Sequence, residues 1–443
     1  MSSSAAAIDQ SNSSEPAWSD RIGIPALVTA TTISNLGNGI TSLAIPWFVL
    51  VTTGSPARTG IAGALVVLAN VLSSTLGGAV VDRLGFKRAS IFSDLLSGVT
   101  VAIIPTLHLL GLLEYWHLLI LIFAGAVFDA PGSVARTALI PRLARQAGMP
   151  LERANSAMQF ADQSSRALLG PLIAGLLIGF VGAASVLFID AATFAVSIIV
   201  VGLLVRVPAR PAAASVSEGG EGASQPAQRE SFLGSIRAGF EYALRDEFLR
   251  LVIPVSLIYN FILSPTVAVI LPVLARNDFG SAGALGLMIA AFGAGSAVGT
   301  IAYGWRGHRV SRSRIFLIAV AAISLGFWIL PFASNVWLGM LGMVIIGLSI
   351  GPTNAMGMTI MQTRVPEEML GRVFGFMFSS SMAVAPLGVF LAGILIETVG
   401  LFAVMVMAAV GVTIAMLRVF TVRSVVRQFD DQQAPTDDKI AGG

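Results

Sequence analysis

Four aspartates and one arginine stand at depth in this 443-residue chain, whose spans are otherwise apolar: Asp94, Asp129, Asp162, Asp190 and Arg166. A carboxylate in apolar surroundings is costly to ionise, and a neighbouring guanidinium lowers that cost. Such a set can therefore take up and release a proton. Asp162 and Arg166 are spaced i,i+4 and share a helical face with Gln159. In one reading, Asp129 or Asp162 exchanges a proton and Arg166 tunes its affinity. In the other, the three make a static ion-pair cluster that ties neighbouring helices together. Other chemistry is missing from the sequence. There are 0 cysteines and 3 scattered histidines. No phosphate-binding Gly-Lys loop, dinucleotide fingerprint, His-Glu-x-x-His pair or Ser-His-Asp constellation occurs. The expectation is no enzyme, no metal, no cofactor and no ATPase module, so any work must draw on a gradient.

The elements that hold these charges are membrane helices. Hydrophobic residues make up 55% of the chain and charged residues 12%, with a mean hydropathy of +0.83; soluble domains carry about 25% charged residues. Charge-free runs include 22–57, 59–81, 95–113, 167–189, 251–275, 279–305, 373–396 and 398–417. The run 315–363 is too long for one crossing and breaks at Pro331-Phe-Ala-Ser-Asn335. Two shorter runs, 115–128 and 191–205, continue into helices holding Asp129 and Asp190. The expected architecture is all-α and integral to the membrane, with twelve transmembrane helices in two pseudo-symmetric six-helix bundles. The expected divisions are a disordered tail (1–21), a first bundle (22–206), a linker with an amphipathic helix (207–249), a second bundle (250–422) and a tail (423–443). With the N-terminus inside, 24 of the 27 basic residues fall on the cytoplasmic side, and only Arg58 and Arg276 fall outside. This bias places both termini in the cytoplasm of a plasma-membrane protein. It also accounts for the basic pI without nucleic acid.

The halves echo each other. Span one has Ile24-Pro25 and Ile45-Pro46, and span seven has Ile253-Pro254 and Leu271-Pro272. Leu151-Glu152-Arg153 precedes span five as Leu370-Gly371-Arg372 precedes span eleven, and Gly170-Pro171 matches Ala385-Pro386.

The loop after span two reads Gly78-Ala-Val-Val-Asp82-Arg83-Leu-Gly85-Phe86-Lys87-Arg88. It resembles the loop 2–3 signature of the major facilitator superfamily, and the resemblance covers all twelve spans. It implies a gate in which Asp82 faces the N-terminus of span eleven, with Asp94 in support. Phe86 departs from the pattern by standing at a usually basic position, so an ion pair there is absent or moved to Lys87. In the second half, Gly299-Thr-Ile-Ala-Tyr303 lacks the acid. In span five, Gly170-Pro171-Leu-Ile-Ala174-Gly175 resembles the family's antiporter motif, with Arg166 at its first glycine position. With Asp129-Ala-Pro131-Gly132 and Arg153-Ala-Asn155, it is similar to the drug-efflux branch that includes macrolide-efflux and enterobactin-exporter-like proteins. Asn35, Asn38, Gln159, Gln163, Asn260 and Asn354 are candidates for a central substrate cavity; interhelical hydrogen bonding is the other reading of the amides. Trp47, Phe48, Phe261, Phe376 and Phe378 are candidates for its apolar wall. The resemblance implies a monomeric, proton-driven exporter of small amphipathic molecules. An uptake permease for a polar metabolite and a non-transporting membrane sensor are the alternatives.

Overall fold

The computed structural model describes residues 18–205, 232–307 and 310–421. The tails and most of the linker therefore lie outside the described residues, as do the side chains of Gly78, Asp82 and Phe378.

Each expected span is a helix. Span one is Trp18–Thr53, span two Pro56–Leu84, span three Phe86–Leu109, span four Tyr115–Gln146, span five Leu151–Val181 and span six Ala183–Leu204. Span seven runs as Glu247–Pro265, Thr266–Ile270 and Leu271–Asn277. Spans eight to twelve are Ala282–Arg306, Arg312–Ile329, Val336–Arg364, Glu367–Val399 and Leu401–Thr421. Eleven carry an apolar stretch long enough to cross a bilayer, and span two holds the charge-free run 59–81. The break inside 315–363 is a short 3-10 turn, Leu330–Phe332, after which Asn335 caps span ten by accepting from the Leu338 amide at 3.0 Å.

The turns show the internal repeat. Spans five and six meet at Gly182 (φ 80°), and spans eleven and twelve meet at Gly400 (φ 91°), both in the left-handed region that only glycine enters without strain. Pro150 precedes span five and Pro366 precedes span eleven with matching backbone angles. Aligned on these prolines, Leu151-Glu152-Arg153 stands three residues from Leu370-Gly371-Arg372; aligned on the turn glycines, it stands one residue away.

The cores show how the halves meet. Call the side carrying the loops at 85 and 147–150 the basic face. Near it each half has its own core. The first half's holds Leu27, Leu139, Leu143 and Val201; the second's holds Leu249, Phe316, Met361 and Val373. Toward the opposite face one core runs through both halves, with Leu43 and Phe48 beside Leu271, Leu285 and Val389. The halves are joined at the opposite face and separate toward the basic one. The amphipathic helix, Phe232–Arg245, packs on span eleven: a methyl on Gly239 would strike the Arg372 carbonyl, and the Phe240 and Phe376 rings lie 5.3 Å apart.

Candidate functional site

Asn35 and Asn38 stand one turn apart on span one and reach two different acids. The Asn35 amide donates to Asp162 Oδ1 at 2.8 Å, and the Asn38 amide donates to Asp129 Oδ1 at 3.2 Å. Arg166 completes the ring. Its Nε donates to Asp162 at 3.2 Å, one terminal nitrogen donates to the Asn35 carbonyl at 2.9 Å, and the same nitrogen lies 3.6 Å from Asp129 Oδ2. Spans one, four and five thus meet in one polar network. Arg166 sits in a widened, π-type turn, Ser164–Leu169, placed just before Pro171. Proline has no amide hydrogen and crowds the carbonyl four residues back, which opens the preceding turn.

The network is wet. Side-chain exposure is 41% at Arg166, 45% at Asp162 and 16% at Asp129. Two carboxylates share one guanidinium, so in the fully ionised state the set carries one uncompensated negative charge. Below it, toward the basic face, is a cavity of about 500 Å³ whose wall includes Thr31, Asn35, Asn155, Gln159 and Asp162. Gln163 is exposed and outside that wall.

Two further acids within the spans, Asp94 and Asp190, are buried. Arg136 is counted with the basic face by its place in the chain, but the structure buries it. Its Nη1 donates to both oxygens of Asp94, at 2.8 and 3.0 Å, and Ser197 donates to Asp94 at 2.7 Å. Asp94 thus ties spans three, four and six together about two turns inside the bundle. Asp190 is fully buried, accepts from Thr41 and Thr193, and sits opposite Gly37, where any side chain would collide with it.

At loop 2–3, Gly85 (φ 77°) alone reverses the chain between spans two and three. Lys87 donates to the carbonyls of Gly202 and Val205, at 2.9 and 2.7 Å, and so caps the C-terminus of span six. The ring of Phe86 lies 4.7 Å from the Arg142 guanidinium, a cation–π contact where the resemblance leads one to expect a charge. Arg83 and Arg88 are exposed.

The Gly-Pro segment of span five makes two seams. A methyl on Gly170 would stand 2.6 Å from the Gly39 Cα of span one. A methyl on Gly175 would stand 2.9 Å from the Gly286 Cα of span eight, in the other half, and Ala174 is fully buried.

The second half offers different chemistry. A cavity of about 360 Å³ is lined by Tyr259, Asn260, Asn354, Met356, Met361 and Met377, among others. Asn260 donates to the Ser256 carbonyl at 2.9 Å. The methionines were the missed signal: Met356-Gly-Met358-Thr-Ile-Met361 is a dense run of flexible, polarizable side chains in one span. Of the proposed aromatic wall, Trp47 and Phe48 belong instead to the core shared by the halves, and Phe376 packs on the amphipathic helix.

A family model described as "transmembrane secretion effector" matches residues 23–441. The multidrug efflux pump Tap of Mycolicibacterium fortuitum is 30% identical over 380 residues, 85% of this chain and 90% of the relative. The enterobactin exporter EntS of Escherichia coli is 25% identical over 377 residues, 83% and 84% of the two chains. Among solved structures, the nucleoside transporter NupG superposes with a TM-score of 0.71 at 14% identity, covering 90% of this chain and 98% of that one. A bacterial Spinster homologue in an inward-facing state gives 0.67 at 12% identity, covering 94% and 99%.

Proposed function

The chain belongs to the transmembrane secretion effector family of the major facilitator superfamily, and we propose that it exports small amphipathic molecules by proton-coupled alternating access. The observation that carries this is the shared arginine. Arg166 bridges two acids from different helices at the head of a cavity that lies toward the basic face. Protonation of one acid leaves Arg166 to the other, so proton uptake and helix rearrangement become one event. The substrate would lie between unlike walls, with its polar part near Asp162, Asn35 and Gln159 and its apolar part among Met356, Met361 and Met377. The basic-residue bias puts the basic face and both termini in the cytoplasm of a plasma-membrane protein. In that orientation the described state is open toward the cytoplasm, ready to load. Residues 22–206 and 250–422 are the two moving bodies, with 207–249 between them and tails at 1–21 and 423–443. Asp82, at the end of span two, belongs to the gate between them, and the protein works as a monomer.

The names of the relatives support a drug-like or siderophore-like substrate. The test is susceptibility profiling of cells with and without the protein, repeated with a protonophore. Protection against a set of amphipathic compounds that disappears with the protonophore is the expected result. Protection that persists without a proton gradient contradicts the coupling.

A further inference from the structure

Arg58 and Arg276 lie at the face opposite the basic loops, and they do different things. Arg58 packs within the first half, its guanidinium 5.3 Å from the Tyr115 ring and its carbonyl accepting from the Tyr115 hydroxyl at 2.8 Å, and its charge also faces Glu397 of the second half. Arg276, at the end of span seven, crosses to the other half and donates to the Leu50 carbonyl of span one at 2.8 Å. An acid from the second half meets the same hairpin. Glu397, at the end of span eleven, accepts from the Ser55 hydroxyl at 2.8 Å and from the Ala57 amide at 3.1 Å.

The signs match what they touch. Leu50 lies in the last turn of span one, at the negative end of the helix; its carbonyl accepts both from the Gly54 amide at 2.9 Å and from the Arg276 cation. Ser55 and Ala57 open span two, where free amides make the end positive, and they receive an anion. The second half thus grips both ends of the first-half hairpin at Gly54-Ser55. Beneath this grip the backbones are close: a methyl on Gly60 would stand 3.0 Å from the Gly393 Cα and 2.8 Å from the Val389 carbonyl.

We propose that Glu397 and Arg276 form a two-point latch that holds the halves closed at the face opposite the basic loops, and that both points release together when that face opens. Dry packing of Gly60 on Gly393 gives the seam its shape but no directional bond. The latch adds ionic hydrogen bonds at both sides of the hairpin, two at Glu397 and one at Arg276, at the rim where water can replace them on opening. A rim contact of this kind is strong enough to bias the closed state and weak enough to let it go. The inference rests on the two halves moving relative to one another, as proposed above.

The test uses the full chain in membranes, with no exported compound and no pH gradient, so failure of proton coupling cannot be confused with failure of the latch. The sequence has no cysteine, which allows a single reporter, Val389→Cys, at a fully buried position in the seam. Its reaction with a membrane-impermeant maleimide reports opening. Glu397→Gln and Arg276→Gln should each raise the labelling rate about two- to fivefold, the factor a screened helix-end charge provides, and the pair should raise it further. Thermal unfolding and monomer yield of each variant separate opening from misfolding. The single variants keep the test readable if the double is not recovered. Labelling at the rate of the reporter alone in both single variants, with normal folding, overturns the latch.

Discussion

The two halves share a backbone plan but divide the chemistry. In the first half, Asp94, Asp129, Asp162, Asp190, Arg136 and Arg166 all stand within the helix bundle. In the second, the wall of the cavity is mostly aliphatic and aromatic, with four methionines, Tyr259 and the amides Asn260 and Asn354. The buried Arg136–Asp94 pair gives the first half a rigid polar skeleton, because each charge is held to a fixed partner, whereas methionines adapt to what they contact. The halves are alike in Gly182 and Gly400 but differ in chemistry, with the ionisable side chains of the bundle interior gathered in one and a largely apolar cavity in the other.

The largest expected effect would break the first half alone. Arg136→Ala leaves Asp94 buried without its cation and should cost about 3–5 kcal/mol of stability, read as loss of folded protein or a lowered thermal midpoint in detergent. Replacing Arg136 and Asp94 together by leucine should restore most of it. A single variant as stable as the parent would remove the rigid skeleton from the account. Next in size is the seam between halves. Gly175→Leu must push span eight away at Gly286 and should cost about 1–3 kcal/mol of the closed state, with faster thiol labelling at the opposite face. Gly179→Leu, where nothing stands within 4 Å, is the neutral control.

A smaller effect should appear in the second half. Met356→Ala and Met361→Ala should shift the relative export of apolar compounds of different size by roughly threefold to tenfold. Proton dependence should stay intact. A change in pH dependence instead would mean that the division of labour is wrong. Smallest is Lys87→Gln, which removes a helix-end charge and should cost about 0.3–1 kcal/mol, seen as a modest fall in thermal midpoint.

How much was legible in the sequence follows the range of the interactions. Spans, turns and the 6+6 plan were readable because hydropathy and Gly/Pro punctuation are local. Asp162 and Arg166 were readable as a pair because i,i+4 spacing is local too, and the depth of Asp129 pointed to the same level. That Asn35 binds Asp162 while Asn38 binds Asp129 depends on the packing of spans one, four and five, which no spacing encodes. Arg136 was misplaced because Arg142 and Arg145, which follow it, stand at the basic end of span four, and its buried partner Asp94 lies on another span. Glu397 passed unnoticed because its partners, Ser55 and Ala57, are in the other half of the chain.

The central claim is that the ring of Asp129, Asp162 and Arg166 couples protons to export, and the most direct measurement is transport by the Asp129→Asn/Asp162→Asn double variant. Purified protein in vesicles, with ethidium as the fluorescent probe, would be compared under an imposed pH gradient and under a probe gradient alone. The double variant, folded at normal yield, should move ethidium down its own gradient like the parent but no longer respond to the pH gradient. Full pH-driven transport by that variant would contradict the claim, and would leave the ring as a static tie between helices.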